Sequence, residues 1–231
     1  MRIADLNPKS AIGNPQYLLR DFMLTVALSK GRLLKPTVDF LRRAGIEVPE
    51  DILSSRRLLA PDSTGSYKFL LVKPTDLPTY VEYGVAATGI CGRDVLLEVT
   101  PDLHQPLDLG FGRCTLVLAG KGGGRKENHN LLSTTRVATK YPRITERFFR
   151  SRGLPAEVIY LSGSVELAPN LGLAETIMDL VETGRTLREN GLVVLEEVVE
   201  STARVVVNRA SFHIQQAEVQ EFLRRLRKVL E

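Results

Sequence analysis

Cysteine is scarce: Cys91 and Cys114 are the only two. Two thiols cannot make a disulfide framework in a chain of 231 residues, and their spacing fits no metal site. The reading is a reducing, cytoplasmic setting. The three histidines, His104, His129 and His213, have no spacing that would gather them. No serine or cysteine sits in a nucleophile elbow, so no covalent intermediate is expected. Long apolar runs are missing too. The longest near the N-terminus, Phe22 to Leu28, is too short to span a bilayer and lacks the flanks of a signal peptide, so neither a signal nor a membrane anchor is expected. Blocks of one charge sign are also absent. The 31 basic and 27 acidic residues are interspersed, and a net charge of +4 with a pI near 9.1 suits an anionic ligand without requiring a nucleic-acid surface. There is no internal repeat and no long linker, so two lobes would have to be joined by short crossovers.

With 43% hydrophobic residues the chain can bury a sizeable core, as one large domain or two lobes. Residues 1–21 read as a loose leader, with Pro8, Gly13 and Pro15 among mixed polar residues. Met23 to Leu28 predicts a strand, Ser29-Lys30-Gly31-Arg32 a loop, and the apolar spacing from Leu33 to Leu41 a helix. Further strands are predicted at Phe69–Val72, Val85–Cys91, Cys114–Ala119, Arg136–Thr139, Val158–Leu161, Glu175–Val181 and Ala203–Asn208. Helices are predicted at Asp76–Val85, with Asp76 as N-cap, at Ile144–Arg152 and at Gln215–Leu230. Alternating strands and helices argue an α/β fold with mostly parallel sheets. The apolar stripe of the last helix suits either a partner or the core of this chain. The polar, glycine-rich stretch 120–130 reads as a solvated loop or as a mobile flap over an anion.

The strongest chemical signal is Thr176 to Leu187, an apolar strand interrupted by Asp179 and closed by Thr183-Gly184-Arg185-Thr186. Gly184 permits close approach of an oxyanion, Thr183 and Thr186 can donate hydroxyls, and the next helix presents free amides. Thr186 and Glu189 have capping-box spacing. A carboxylate inside a strand is costly unless paired or ligand-bound. Two readings stand from the turn alone: a helix cap with Asp179 on backbone, or a sugar-phosphate site with Asp179 on ribose hydroxyls.

Asp179-Leu-Val-Glu-Thr-Gly-Arg-Thr-Leu187 resembles the phosphoribosyl-pyrophosphate loop of phosphoribosyltransferases, except that Asp179 is followed by Leu180 rather than by a second acid. Ala27–Leu33, Asp76–Gly84, Gly89–Asp94, Arg136–Tyr141 and Gly163–Pro169, in that order, resemble the ATP phosphoribosyltransferase family from Leu24 to Asn208. The ending at Glu231 resembles the short form, which lacks a C-terminal histidine-binding domain.

The resemblance implies a pentosyltransferase of the first step of histidine biosynthesis. Adenine N1 of ATP would attack the anomeric carbon of phosphoribosyl pyrophosphate, giving phosphoribosyl-ATP and pyrophosphate. It implies a two-lobed type II periplasmic-binding-protein-like fold with the active site in the inter-lobe cleft. Lobe one would take residues 22–113 plus 198–231, and lobe two, carrying the phosphate loop, residues 114–197. Arg32 and Arg56 are the catalytic candidates, on the developing pyrophosphate charge. Lys30, Gly31, Arg32, Asp76 and Asp94 are the ATP-side candidates, and Glu166, Asp179, Thr183, Gly184, Arg185, Thr186 and Leu187 the phosphoribosyl-side ones. Arg136 and the Thr139-Lys140-Tyr141 segment could meet phosphate or adenine. Magnesium (Mg2+) is the implied cofactor, held mainly by substrate, with no protein ligand assigned. The implied partners are a second catalytic chain and a histidyl-tRNA synthetase-like regulatory subunit in a hetero-octamer. A non-catalytic solute-binding protein and a transferase acting on another base are the rival readings.

Overall fold

The computed structural model describes residues 23–54, 57–122 and 134–231. The leader at 1–21, Arg56 and most of the 120–130 stretch lie outside the described residues. The chain forms two lobes, each built on one sheet.

In lobe one the strands are β1 (Leu24–Ser29), β2 (Leu59–Pro61), β3 (Tyr67–Val72), β4 (Thr88–Gly92), β5 (His104–Asp108) and β11 (Ala203–Val207), in the order β2-β3-β1-β4-β11-β5. Helices α1 (Leu34–Arg43) and α7 (Gln216–Leu230) cover one face, and α2 (Leu77–Glu82) and α3 (Arg93–Val99) the other. The apolar stripe of α7, Val219, Phe222, Leu223 and Leu226, is buried against Tyr67, Phe69 and the α1 residues Val38 and Leu41, so it is core rather than a docking face. A short helix, α6 (Arg209–Ile214), precedes α7; its N-cap Asn208 accepts from the amide of Ser211 at 2.8 Å.

Lobe two orders its strands β10-β6-β9-β7-β8 from β6 (Cys114–Lys121), β7 (Thr135–Thr139), β8 (Ala156–Tyr160), β9 (Thr176–Val181) and β10 (Leu192–Ser201). Helix α4 (Pro142–Ser151) packs Ile144, Phe148 and Phe149 on one face of this sheet. A 3-10 turn at Val165–Leu167 and α5 (Arg185–Glu189) cover the other with Val165 and Leu187. No helix among the described residues is long and apolar enough to cross a membrane.

The sheets are mixed rather than mostly parallel. β1 pairs in parallel with β3 and β4, and β7 with β8 and β9, but β11 runs antiparallel to β4 and β5, and β6 antiparallel to β9 and β10. Strands that pass straight between lobes have no crossover helix to reverse them, so they pair antiparallel. The return crossing falls at Thr202 instead of 198, because β10 stays paired with β6 as far as Ser201 and Cys114. The two crossings are themselves tied: the amide of Ala203 donates to Phe111 O at 2.9 Å, and that of Leu109 to Ala203 O at 2.9 Å. They form one two-stranded hinge.

Candidate active site

The carboxyl ends of the parallel strands in both sheets face the cleft, the usual ligand position in open α/β sheets. From lobe one these ends deliver Lys30 and Arg32 after β1, Thr75 after β3 and Asp94 after β4. From lobe two they deliver Lys140 and Tyr141 after β7 and the loop after β9. Two cavities result.

The first, about 250 Å³, is lined by Glu166, Asp179, the loop from Glu182 to Leu187, Cys114 and Arg32. The second, about 270 Å³, is more apolar, with Leu33, Pro74, Val95, Val99 and Tyr141 beside Lys30, Asp94, Glu98 and Lys140. Arg32 and Leu180 line both. The cavities are therefore neighbours across a wall that one cation spans.

The loop owes its shape to Gly184, which caps α5 with φ 70°, a left-handed conformation that a side chain would strain. The capping box read from the sequence does not form. Thr186 lies inside the helix, and Glu189 is taken by Arg185 at 2.7 Å, one turn back. The Thr183 hydroxyl accepts weakly from the Arg185 amide at 3.4 Å, and the residue is exposed at the lining of the first cavity.

Asp179, only 9% exposed, accepts from the Leu180 amide at 2.9 Å and lies 3.8 Å from the Lys140 ammonium. Burial raises its pKa above the ordinary value; the Lys140 charge and the Leu180 amide oppose that rise, and Glu166 adds to it. Asp94, 4% exposed, is fully engaged: it accepts from Ser201 Oγ at 2.7 Å and from Tyr141 Oη at 3.0 Å. A side chain on Gly92 would collide with its carboxylate, so this close packing requires glycine there. Burial, and next the Asp94 and Asp179 charges, hold the Tyr141 phenol far above its ordinary pKa, so it remains a donor. Arg32 donates to Gly112 O at 2.8 Å and to Cys114 Sγ at 3.2 Å. The Cys114 pKa is raised by burial in spite of that guanidinium.

Among the predicted residues, the structure gathers Arg32, Glu166, Asp179, Thr183, Gly184, Arg185, Thr186 and Leu187 in the first cavity and Lys30, Arg32 and Asp94 in the second. Gly31 lines neither, although both its neighbours do. Asp76 is exposed; it occupies the N-cap position of α2 but makes no side-chain cap, and it accepts from Thr75 Oγ1 at 3.1 Å. Arg56 lies outside the described residues. Arg136 is in neither cavity, because its guanidinium and amide are both bound to Glu175, at 2.6 Å for the shortest contact of each. Cys114, Glu182, Glu98 and Ser201 were not singled out as site residues. Glu182 sits in the quoted loop and was within reach of sequence reasoning, whereas Cys114 and Ser201 meet only because β6 pairs with β10.

Two α/β lobes on a paired hinge, with strand ends and helix starts converging on the cleft, define a type II periplasmic-binding-protein-like fold. Solved neighbours agree at the level of fold alone: a Bordetella pertussis BvgS periplasmic VFT2 domain (13% identity, TM-score 0.57, 94% of this chain and 92% of that one) is among them. The sequence narrows the class. A family model described as ATP phosphoribosyltransferase matches residues 73–228. The chain is 48% identical over 210 residues to the ATP phosphoribosyltransferase of Caldanaerobacter subterraneus subsp. tengcongensis, covering 90% of this chain and 98% of that protein. It is 48% identical over 204 residues to that of Aquifex aeolicus, covering 88% and 94%. The ATP phosphoribosyl transferase (HisG:HisZ) complex from Thermotoga maritima contains a chain at 38% identity and TM-score 0.77, covering 90% of this chain and 98% of that one. The chain belongs to the ATP phosphoribosyltransferase family.

Proposed function

We propose that the chain joins ATP, through adenine N1, to the anomeric carbon of phosphoribosyl pyrophosphate, releasing pyrophosphate and forming phosphoribosyl-ATP in the first step of histidine biosynthesis. The observation that carries this reading is the pair of adjoining cavities that share Arg32. The first takes the 5′-phosphate at the Thr183–Thr186 turn, where hydroxyls, amides and Arg185 provide donors, and the ribose hydroxyls at Glu166 and Asp179. The second takes the nucleotide, with Tyr141 and the aliphatic wall against the base and Lys30 and Lys140 toward its phosphates.

At the shared wall, Arg32 can leave Gly112 O and Cys114 for pyrophosphate oxygens as charge develops there. A bidentate guanidinium suits that task, and such preorganised charge is the greatest stabilisation the site can supply to an oxocarbenium-like transfer. Holding the two substrates in line supplies much of the rest. The buried Tyr141–Asp94–Ser201 chain fixes the nucleotide side without entering the reaction. Arg56, proposed as a second clamp, rests on the sequence alone.

Magnesium belongs to the proposal as well. The carboxylates lining the first cavity are hard oxygen donors, but no group of three or more protein ligands gathers among the described residues, so the donor set fits an ion carried on substrate oxygens and water. Bound there, it would neutralise the departing pyrophosphate. We further propose a cytoplasmic enzyme acting as a catalytic dimer within a hetero-octamer. The partner would be a histidyl-tRNA synthetase-like regulatory subunit, and the kinship with the Thermotoga complex supports that assembly.

The test is the ultraviolet absorbance of phosphoribosyl-ATP on mixing the chain with ATP, magnesium, phosphoribosyl pyrophosphate and pyrophosphatase. A rise that needs both substrates is expected. No rise, with the regulatory subunit also present, would favour a solute-binding protein instead.

A further inference from the structure

Helix α4 of lobe two begins without a cap of its own. Tyr141 occupies its N-cap position and makes no side-chain cap; Pro142 follows, leaving the amides of Arg143 and Ile144 without helical acceptors. Those two amides instead donate to Glu98 Oε1 at 2.9 Å and Glu98 Oε2 at 3.0 Å. Glu98 belongs to α3, in the other lobe.

The exchange is reciprocal. Near the C-terminal end of α3, the carbonyl of Val99 accepts from the Arg143 guanidinium at 3.1 Å, and that of Leu97 from Arg147. Helix α4 thus returns cations to the negative end of α3 while α3 supplies an anion to the positive end of α4. One turn before Glu98, Asp94 receives the Tyr141 hydroxyl. Between them Leu97 packs against the lobe-two core cluster that contains Ile144 and Phe148. Through Asp94 and Ser201 this contact adjoins the crossing between the lobes, and Glu98 and Tyr141 both line the second cavity.

We infer that Glu98 is a positioning residue: it caps α4 across the cleft and so holds the lobes at the separation in which the two cavities share Arg32. The inference rests on the proposed reaction only for its kinetic consequence; the cap itself is independent of what the cleft binds. Without the carboxylate, the amino end of α4 loses its cap and is held to α3 only by the Tyr141–Asp94, Arg143–Val99 and Arg147–Leu97 contacts and by Leu97, so the second cavity is held less firmly at its distance from the first.

The experiment is hydrogen exchange at the Arg143 and Ile144 amides in the full chain, read by fragmentation mass spectrometry, together with steady-state kinetics on ATP and phosphoribosyl pyrophosphate. Glu98→Ala should speed exchange at both amides by about tenfold or more, since each loses a charge-assisted bond. Glu98→Gln, which keeps one acceptor oxygen, should fall between Ala and wild type. The loss of turnover should follow the same order and fall on kcat more than on KM, normalised to folded protein by circular dichroism. Exchange at the two amides indistinguishable from wild type in Glu98→Ala, or an unchanged kcat in that variant, overturns the inference. Absence of turnover in the wild-type chain, with the regulatory subunit also present, would instead overturn the proposed reaction and leave the exchange result to decide on the cap.

Discussion

The guanidinium of Arg32, in the turn between β1 and α1 of lobe one, lies 3.2 Å from Sγ of Cys114, the first residue of the first strand in lobe two. One cation therefore touches both lobes at the hinge and lines both cavities. Its partners, a carbonyl and a thiol, are neutral, so in the proposed reaction an incoming polyphosphate would outcompete them.

Arg32→Ala is expected to lower kcat by about 10²–10³-fold, the cost of removing one donor aimed at developing charge. Its thermal midpoint should stay close to wild type, because the side chain is largely exposed. Arg32→Lys should recover only part of the loss, since an ammonium cannot grip two oxygens in parallel. Single-turnover kinetics decide the matter: a wild-type chemical rate in Arg32→Ala removes Arg32 from the reaction.

Asp179 makes the stability of lobe two depend on pH. A carboxyl whose folded pKa is raised, here mainly by burial, holds its proton more tightly in the folded chain than in the unfolded one. That contribution to stability is complete below the ordinary value of 3.8 and is lost as pH rises through the folded value. Lys140→Met removes the largest opposing influence and should raise the folded value further. Thermal midpoints followed from acid to neutral pH should show Lys140→Met falling further behind wild type as pH rises. A constant gap across that range would rule out the coupling.

Gly184→Ala places a side chain at φ 70°, which costs about 1–2 kcal/mol for an L-residue. The strain should open the turn and weaken binding of phosphoribosyl pyrophosphate more than binding of ATP. Calorimetry with each substrate in turn provides the check. Equal losses for both would mean that the turn does not hold the phosphate.

Arg136→Ala serves as the contrast. Its guanidinium is bound to Glu175 at the amino end of β9, the end opposite the phosphate loop, so turnover and both KM values should match wild type. Arg136 also holds Glu175 below its ordinary pKa, chiefly through their side-chain hydrogen bond. Losing it should lower the melting temperature slightly at neutral pH and less in acid, where Glu175 protonates. A marked rise in either KM would return Arg136 to the site.

Local pattern alone made the α/β class, the phosphate turn and most elements legible. Apolar runs such as Leu24–Leu28 and Ile177–Met178 bury both faces of a strand, and Thr183-Gly184-Arg185-Thr186 carries its own turn chemistry. The strands that went unread had weak local signals. β10 is interrupted by register shifts at Val194/Glu196 and Glu197/Val199, which break the two-residue alternation, and β5 is an edge strand holding Pro106. Sequence spacing also could not show that Glu189 would pair with Arg185 instead of forming a capping box, or that Arg136 would bind Glu175, 39 residues away. What a strand or a turn needs lies within a few residues of it, and the sequence by itself determined those. Only the tertiary structure could decide the hinge that brings Arg32 to Cys114, the burial of α7 as core and the capping of α4 by Glu98. Each of those joins groups far apart in the chain: the free energy of burying α7 arises only once lobe one has folded, and that of the hinge contact and of the Glu98 cap only once both lobes have met.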